Sequence, residues 1–380
     1  MTFDRQLLAV AVTLLALLAP PLWAQSTTSF TSSAVALAPA DAVSKARSLV
    51  QADLAERGYP GIAVAVSVGG QVVWSEGFGY ADLEHRVPMW PSVKFRIGSI
   101  SKSITAAAVA ALVDDGRLDL DVSIQQYVPS FPEKAYPITT RQLGGHLAGI
   151  RHYQGDENFI RDSYASVLDA LSIFKDDPLL HEPGTAYAYS SYGFNLISAV
   201  VEATARQSFL DYLRTAVLQP LGMRDTIADF VDPIISQRTR YYVRDATGQL
   251  VNAPFVNNSY KWAGGGLLST TEDVLRFANA HLFGRFLSES ARDLLFTEQE
   301  TVAGEGVGYG FGWFVQTDAA GRRLLGHSGG SVGGTSLMLI QPDTRVVIVG
   351  LINLTGARNG VLRDVLRIFV EAAEASSEYQ

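Results

Sequence analysis

Apolar residues recur along this chain in distinct rhythms, and each predicts a different element. Between an Asp41 cap and Gly58, residues Val43, Ala46, Leu49, Val50 and Leu54 fall on one helical face. Residues 62–68 form a continuous apolar run, then Gly69-Gly70, then a second run at 71–78, which predicts a strand hairpin. The far end mirrors this. Residues 335–341 and 345–351 read as strands joined through Pro342-Asp343-Thr344, and a closing helix at 360–375 carries Val361, Leu362, Val365, Leu366 and Phe369 on one stripe. Further strands are expected at 310–316 and 322–327, and helices at 164–174, 194–205 and 208–218. The simplest fold is α+β: an antiparallel sheet built from both chain ends and flanked by the terminal helices, with a mainly helical lobe inserted. The expected domain is 41–375, with a sheet lobe at 41–117 plus 262–375 and a helical lobe at 118–261. Ligand sites favour the cleft between such lobes.

One predicted helix departs from the amphipathic pattern. Residues 104–113 are apolar nearly all round, so this helix is expected to be buried, with Asp114, Asp115 and Gly116 ending it. Just before it runs Phe95-Arg96-Ile97-Gly98-Ser99-Ile100-Ser101-Lys102. Positions three apart share a helical face, so Lys102 is placed beside Ser99. Burial lowers a lysine's pKa, and a neutral amine beside a hydroxyl is a base beside a nucleophile. The helix N-terminus adds a field that favours negative charge at the serine. Ser172-Ile173-Phe174-Lys175 repeats the Ser-x-x-Lys pattern, but no glycine precedes it and Asp176-Asp177-Pro178 follows, so it reads as an ordinary helix end.

Composition narrows the chemistry. The 380 residues are 47% hydrophobic and 18% charged, as in a soluble globular enzyme, and the net charge of −8 argues against a nucleic-acid partner. Cysteine is absent, which excludes disulfides, thiolate metal sites, a cysteine nucleophile and a lipoprotein anchor. The histidines show no metal-binding spacing, so no metal and no cofactor is expected. Residues 1–24 read as a secretory signal: Arg5, an apolar run at 7–19 too short for a comfortable membrane span, and Leu22-Trp23-Ala24 before Gln25. A Ser/Thr/Ala-rich linker at 25–40 follows. No later stretch looks transmembrane, so a periplasmic or secreted protein is expected.

Two further motifs could serve Ser99. Pro183-Gly184-Thr185-Ala186-Tyr187-Ala188-Tyr189-Ser190-Ser191 leads into a helix, and a tyrosine can become a base where cations lower its pKa. Gly326-His327-Ser328-Gly329-Gly330 sits at an expected strand end, where glycines allow close approach of a substrate to the backbone. It also matches the Gly-x-Ser-x-Gly nucleophile elbow, but that site needs a histidine later in the chain, and none follows Ser328.

In the order Ser-x-x-Lys, Tyr-x-Ser, His-Ser-Gly-Gly, the chain resembles the serine β-lactamase and penicillin-binding-protein superfamily, nearest its class C-like branch. That branch includes family VIII esterases, D-aminopeptidases and LACTB-type serine proteases. Pro220-Leu221-Gly222-Met223, Gly264-Gly265-Gly266-Leu267 and Thr271-Glu272-Asp273 add to the resemblance, which covers about 41–375. It implies a β-lactamase/transpeptidase-like fold and an acyl-enzyme on Ser99, with Lys102 and Tyr189 sharing the proton work. The N–H groups of Ser99 and Gly330 would form the oxyanion hole, and Ser191, His327, Ser328 and Gly329 would contact a small ester, amide or peptide substrate. His327 stands where many members carry the lysine of Lys-Thr-Gly, and Ser191 where class C enzymes carry asparagine. Both departures turn the expectation from penicillins toward neutral acyl groups. His146, in Gly144-Gly145-His146-Leu147-Ala148-Gly149, is expected to be structural. Three functions remain open: an exported esterase or peptidase, an enzyme acting on β-lactams or cell-wall D-Ala-D-Ala peptides, or an inactive cell-wall ligand-binding protein.

Overall fold

The computed structural model describes residues 40–377 apart from Arg285. The expected signal at 1–24 and residues 25–39 of the expected linker lie outside the described residues. Seven antiparallel strands form the main sheet: β1 (Gly61–Val68), β2 (Gln71–Asp82), β3 (Val87–Pro88), β4 (Phe314–Thr317), β5 (Arg323–Ser331), β6 (Gly334–Gln341) and β7 (Val346–Ile352). Their spatial order is β3-β2-β1-β7-β6-β5-β4, so the two ends of the chain meet at the β1–β7 pair, with Ile62 opposite Ile352 and Val68 opposite Val346.

Side chains alternate across a strand, and here both faces are covered. Ile62, Val64, Val66 and Val68 of β1 pack with Ala42, Ala46 and Val50 of α1 (Ala40–Arg57) and with the apolar stripe of the C-terminal helix Val361–Ser377. Ala63 and Ala65 point the other way, into the cluster that holds α2 (Ile100–Asp114). In β7, Val346, Ile348 and Ile352 join the first layer, and Val347, Val349 and Leu351 the second. This double burial is why both strands read as unbroken apolar runs.

Three expected elements differ in extent. The helix at 164–174 shrinks to Val167–Leu171: the Ser166 side chain caps its start by accepting from Asp169 N–H, and after Leu171 the pairing tightens to i−3 bonds such as Phe174 N–H to Leu171 O. The strand at 310–316 is confined to Phe314–Thr317, since Gly312 turns the chain at φ +74° and Gly310 N–H closes the turn on Trp313 O. The 322–327 strand instead runs on to Ser331, so the His327-Ser328-Gly329-Gly330 stretch lies within β5 rather than at its end. β4 pairs only with Arg323–Gly326, leaving that stretch without a strand neighbour on its outer side.

The stretch 118–261 is also less uniformly helical than expected. It contains the strand pair Tyr242–Arg244 and Leu250–Asn252, and Ile227–Ala228 joins Phe95–Arg96 and Leu267–Ser269 in a three-stranded sheet. Among the described residues no helix is long and apolar enough to cross a membrane.

Candidate active site

Ser99 caps α2, and the turn before it is pinned from two sides. Ile97 N–H donates to Leu267 O, while Ser336 Oγ donates to Ile97 O at 2.7 Å. Gly98 adopts φ +50° and lies so close to β5 that a Cβ there would fall 2.7–2.9 Å from the Gly330 backbone. Only glycine tolerates both conditions, and the contact brings Ser99 to Gly330. Ser99 N–H has no hydrogen-bond partner among the described residues, as first-turn helix donors lack one within the helix.

Lys102 is fully buried on α2, with Nζ 2.9 Å from Ser99 Oγ, 2.8 Å from Ser191 Oγ and 2.6 Å from Gly264 O. Burial, reinforced by the positive charge of Lys261, pushes its pKa well below the usual lysine range, and no carboxylate pairs with it among the described residues. A neutral amine has two N–H donors and one lone pair. The Gly264 carbonyl can only accept and the Ser191 hydroxyl can accept, so the lone pair is left to take the Ser99 proton. The second Ser-x-x-Lys copy lacks these features: Ser172 is exposed, and its hydroxyl turns back to its own helix.

Tyr189 reaches the same point from a different segment. Its ring centroid lies 4.8 Å from Lys102 Nζ, and its hydroxyl interacts with Ser99. Burial outweighs that interaction and raises the phenol above its ordinary pKa, the opposite direction from the cation-lowered value that would make it a base. Two histidines hold the segment. Ser190 N–H donates to His146 Nδ1 and Ser191 N–H to His152 Nδ1, each at 3.1 Å, while Ser190 Oγ caps α3 (Ser191–Ala205) at Gly193 N–H. His146 thus acts on backbone, and His152, which sequence reasoning missed, does so while also lining the cleft.

The cleft encloses about 520 Å³ and is lined by Ser99, Tyr189, Ser191, His327, Ser328 and Gly330, with residues from both sides of position 118. Two substrate-contact expectations need correction. His327 Nε2 bonds Tyr309 Oη at 2.8 Å and Nδ1 bonds Ser328 O, so neither ring nitrogen is free for a substrate. Burial lowers its pKa to about 3, so it stays neutral. Gly329 faces away from the cleft and packs on Ile97, where a Cβ would fall 2.1 Å from Ile97 O. Ser191 does line the cleft, but its hydroxyl is bound to Lys102. Sequence reasoning also missed Tyr153, Phe314 and Lys261 as cleft residues. Among the described residues no three His, Cys, Asp or Glu side chains gather as a metal site.

Comparison with known proteins identifies the family. The beta-lactamase family profile matches residues 46–371. The chain is 35% identical over 399 residues to the mitochondrial serine beta-lactamase-like protein LACTB of Homo sapiens, covering 80% of this chain and 73% of that protein. The octameric penicillin-binding protein homologue from Pyrococcus abyssi superposes with a TM-score of 0.75 at 28% identity, over 87% of this chain and 77% of that one. The D-amino acid amidase from Ochrobactrum anthropi SV3 superposes with a TM-score of 0.76 at 25% identity, over 89% and 99% of the two chains. This protein is a serine hydrolase and belongs to the beta-lactamase family.

Proposed function

We propose that the protein cleaves ester or amide bonds through an acyl-enzyme on Ser99. The observation that carries this reading is the buried Lys102 amine, 2.9 Å from Ser99 Oγ and without a carboxylate partner. Ser99 Oγ attacks the substrate carbonyl carbon and its proton passes to Lys102 Nζ. The N–H groups of Ser99 and Gly330 hold the oxyanion, a kind of contact typically worth ~3 kcal/mol per donor. Tyr189, kept protonated by burial, passes a proton to the leaving group and recovers one from Lys102. Water then hydrolyses the acyl-enzyme by the reverse route. The amidase among the structural neighbours supports amide substrates as readily as esters.

Ser99→Ala is expected to abolish labelling by a fluorophosphonate, while Ser172→Ala and Ser328→Ala still label. Intact-mass and peptide analysis reads the adduct directly, and an adduct on Ser172 or Ser328 would overturn the assignment. Export is part of the same proposal and rests on residues 1–24. Protein recovered from a secreting host is expected to begin at Gln25; an N-terminus retaining residues 1–24 would count against a cleaved signal.

A further inference from the structure

We infer that Lys261 is the anion-recognising residue of this cleft, and that the substrate carries a carboxylate near the bond that Ser99 attacks. The inference rests on the reading of Ser99 as nucleophile and starts from an imbalance of charge. Lys261 precedes the short helix Trp262–Gly265, is 3% exposed, and lines the cleft. Among the described residues its Nζ has neither a hydrogen bond nor an ion pair. It meets instead the rings of Tyr153, at 5.4 Å, and Tyr260, at 5.1 Å. Aromatic faces offset part of the cost of keeping an ammonium out of water, but not all of it.

The surrounding charges are already committed. The Asp229 carboxylate takes Arg96 at 2.7 Å, Arg238 at 3.2 Å and the Asn258 amide at 2.8 Å. Glu157 takes Arg151 at 2.8 Å and the Tyr192 hydroxyl at 2.9 Å. Burial lowers the pKa of His152 to about 4 and that of Lys102 well below its usual range, and it keeps Tyr153 and Tyr260 protonated. Among the described residues no Asp or Glu lines the cleft. Of the charged groups named around the cleft, Lys261 is thus left without a counter-charge among the described residues, it opens onto the space where the substrate must sit, and a substrate carboxylate would complete it. The sequence alone points the other way, because His327 replaces the usual lysine and suggests a cleft for neutral acyl groups. A cation is present, but it comes from a different segment, the one leading into Gly264-Gly265-Gly266.

Burial, with Arg96 adding to it and Asp229 opposing it, pushes the Lys261 amine down to about 7. Its charge is thus present below neutrality and lost above it, while a bound carboxylate would hold the proton on. The test compares kcat/KM for p-nitrophenyl butyrate with that for the mono-p-nitrophenyl ester of glutarate, whose acyl chain ends in a carboxylate. A charge-assisted hydrogen bond predicts a preference for the glutarate ester of about tenfold or more in mildly acidic buffer. That ratio should fall as pH rises past neutrality in the wild type. Lys261→Arg, which cannot lose its charge, should hold the ratio into alkaline buffer, and Lys261→Met should remove it at every pH. Taking the ratio cancels any effect of the substitution on Lys102, because both esters use the same base. Should neither variant fold, the pH trend of the wild-type ratio decides. A wild-type ratio at or below one, or a ratio unchanged in Lys261→Met, overturns the assignment. If fluorophosphonate still labels Ser99 in that case, only the role of Lys261 falls; if it does not label, the Ser99 reading falls with it.

Discussion

Lys102→Met is expected to leave a folded protein whose kcat is lower by ~10²–10⁴-fold, the usual cost of a missing general base. Methionine has nearly the length of the lysine stem and brings no charge into a site with no counter-ion. Ser99 keeps its place, because the backbone contacts of Ile97 and Gly98 hold it rather than Lys102. Ser191 Oγ and Gly264 O each lose one partner, a modest loss beside the loss of the base. Lys102→Arg is the harsher change. It buries a permanent cation where no carboxylate pairs with the lysine, so it should unfold at a lower temperature as well as being inactive. Thermal melts and ester turnover on the two variants check this. A Lys102→Met protein retaining more than about a tenth of wild-type kcat would show that Ser99 is activated by another group.

Acidification is expected to destabilise the protein steeply between neutrality and about pH 5. His146, His281 and His327 are 1–2% exposed, and burial is the first cause of the lowered pKa of each, to about 4 for His281 and about 3 for His327. Their folded values lie below the unfolded value of about 6.5, so in that window the unfolded chain binds protons that the folded one refuses. Stability is therefore lost as pH falls through that unfolded value. At about pH 5 His281 and His327 each remove ~2 kcal/mol and His146 adds to the loss, a large share of a typical net stability. Buried Asp273 and Glu202 have raised pKa values and work in the opposite sense, but only nearer the carboxylate range. Melting temperature against pH reads the slope. His281→Phe, among Phe277, Phe286, Phe296 and Trp313 and outside the cleft lining, should make it shallower. A flat profile in the wild type would mean these rings are not held neutral by burial.

How much of this was legible in the sequence depends on how far apart the interacting residues lie. Ser99 and Lys102 are one helical turn apart, so helix geometry alone puts them together. The terminal hairpins and helices were readable because each carries its own period and its own turn. His146 and His152, by contrast, act on the Ser190 and Ser191 amides about forty residues later, and no local pattern announces a ring nitrogen aimed at a distant backbone. His327 was misread for the same reason. Its partner Tyr309 lies 18 residues away, across a turn, and without that contact the ring reads as open to a substrate. Lys261 has no motif of its own: it stands three residues before Gly264-Gly265-Gly266-Leu267, and only the fold turns it into the cleft.

The pairing of β1 with β7 has a consequence for how the molecule is made. β1 is among the first described strands to leave the ribosome, and the strand it pairs with is the last. Until β7 is synthesised, one edge of β1 is unpaired, and the sheet that backs α2 is split into two halves joined only through the intervening chain. So long a loop closes late and slowly compared with local contacts. The Ser99 turn depends on both halves, since Leu267 and Ser336 pin it and Gly330 supports it from β5. A nascent chain that lacks β7 therefore cannot yet hold the Ser99 turn in place, and assembly of the proposed site waits on that strand.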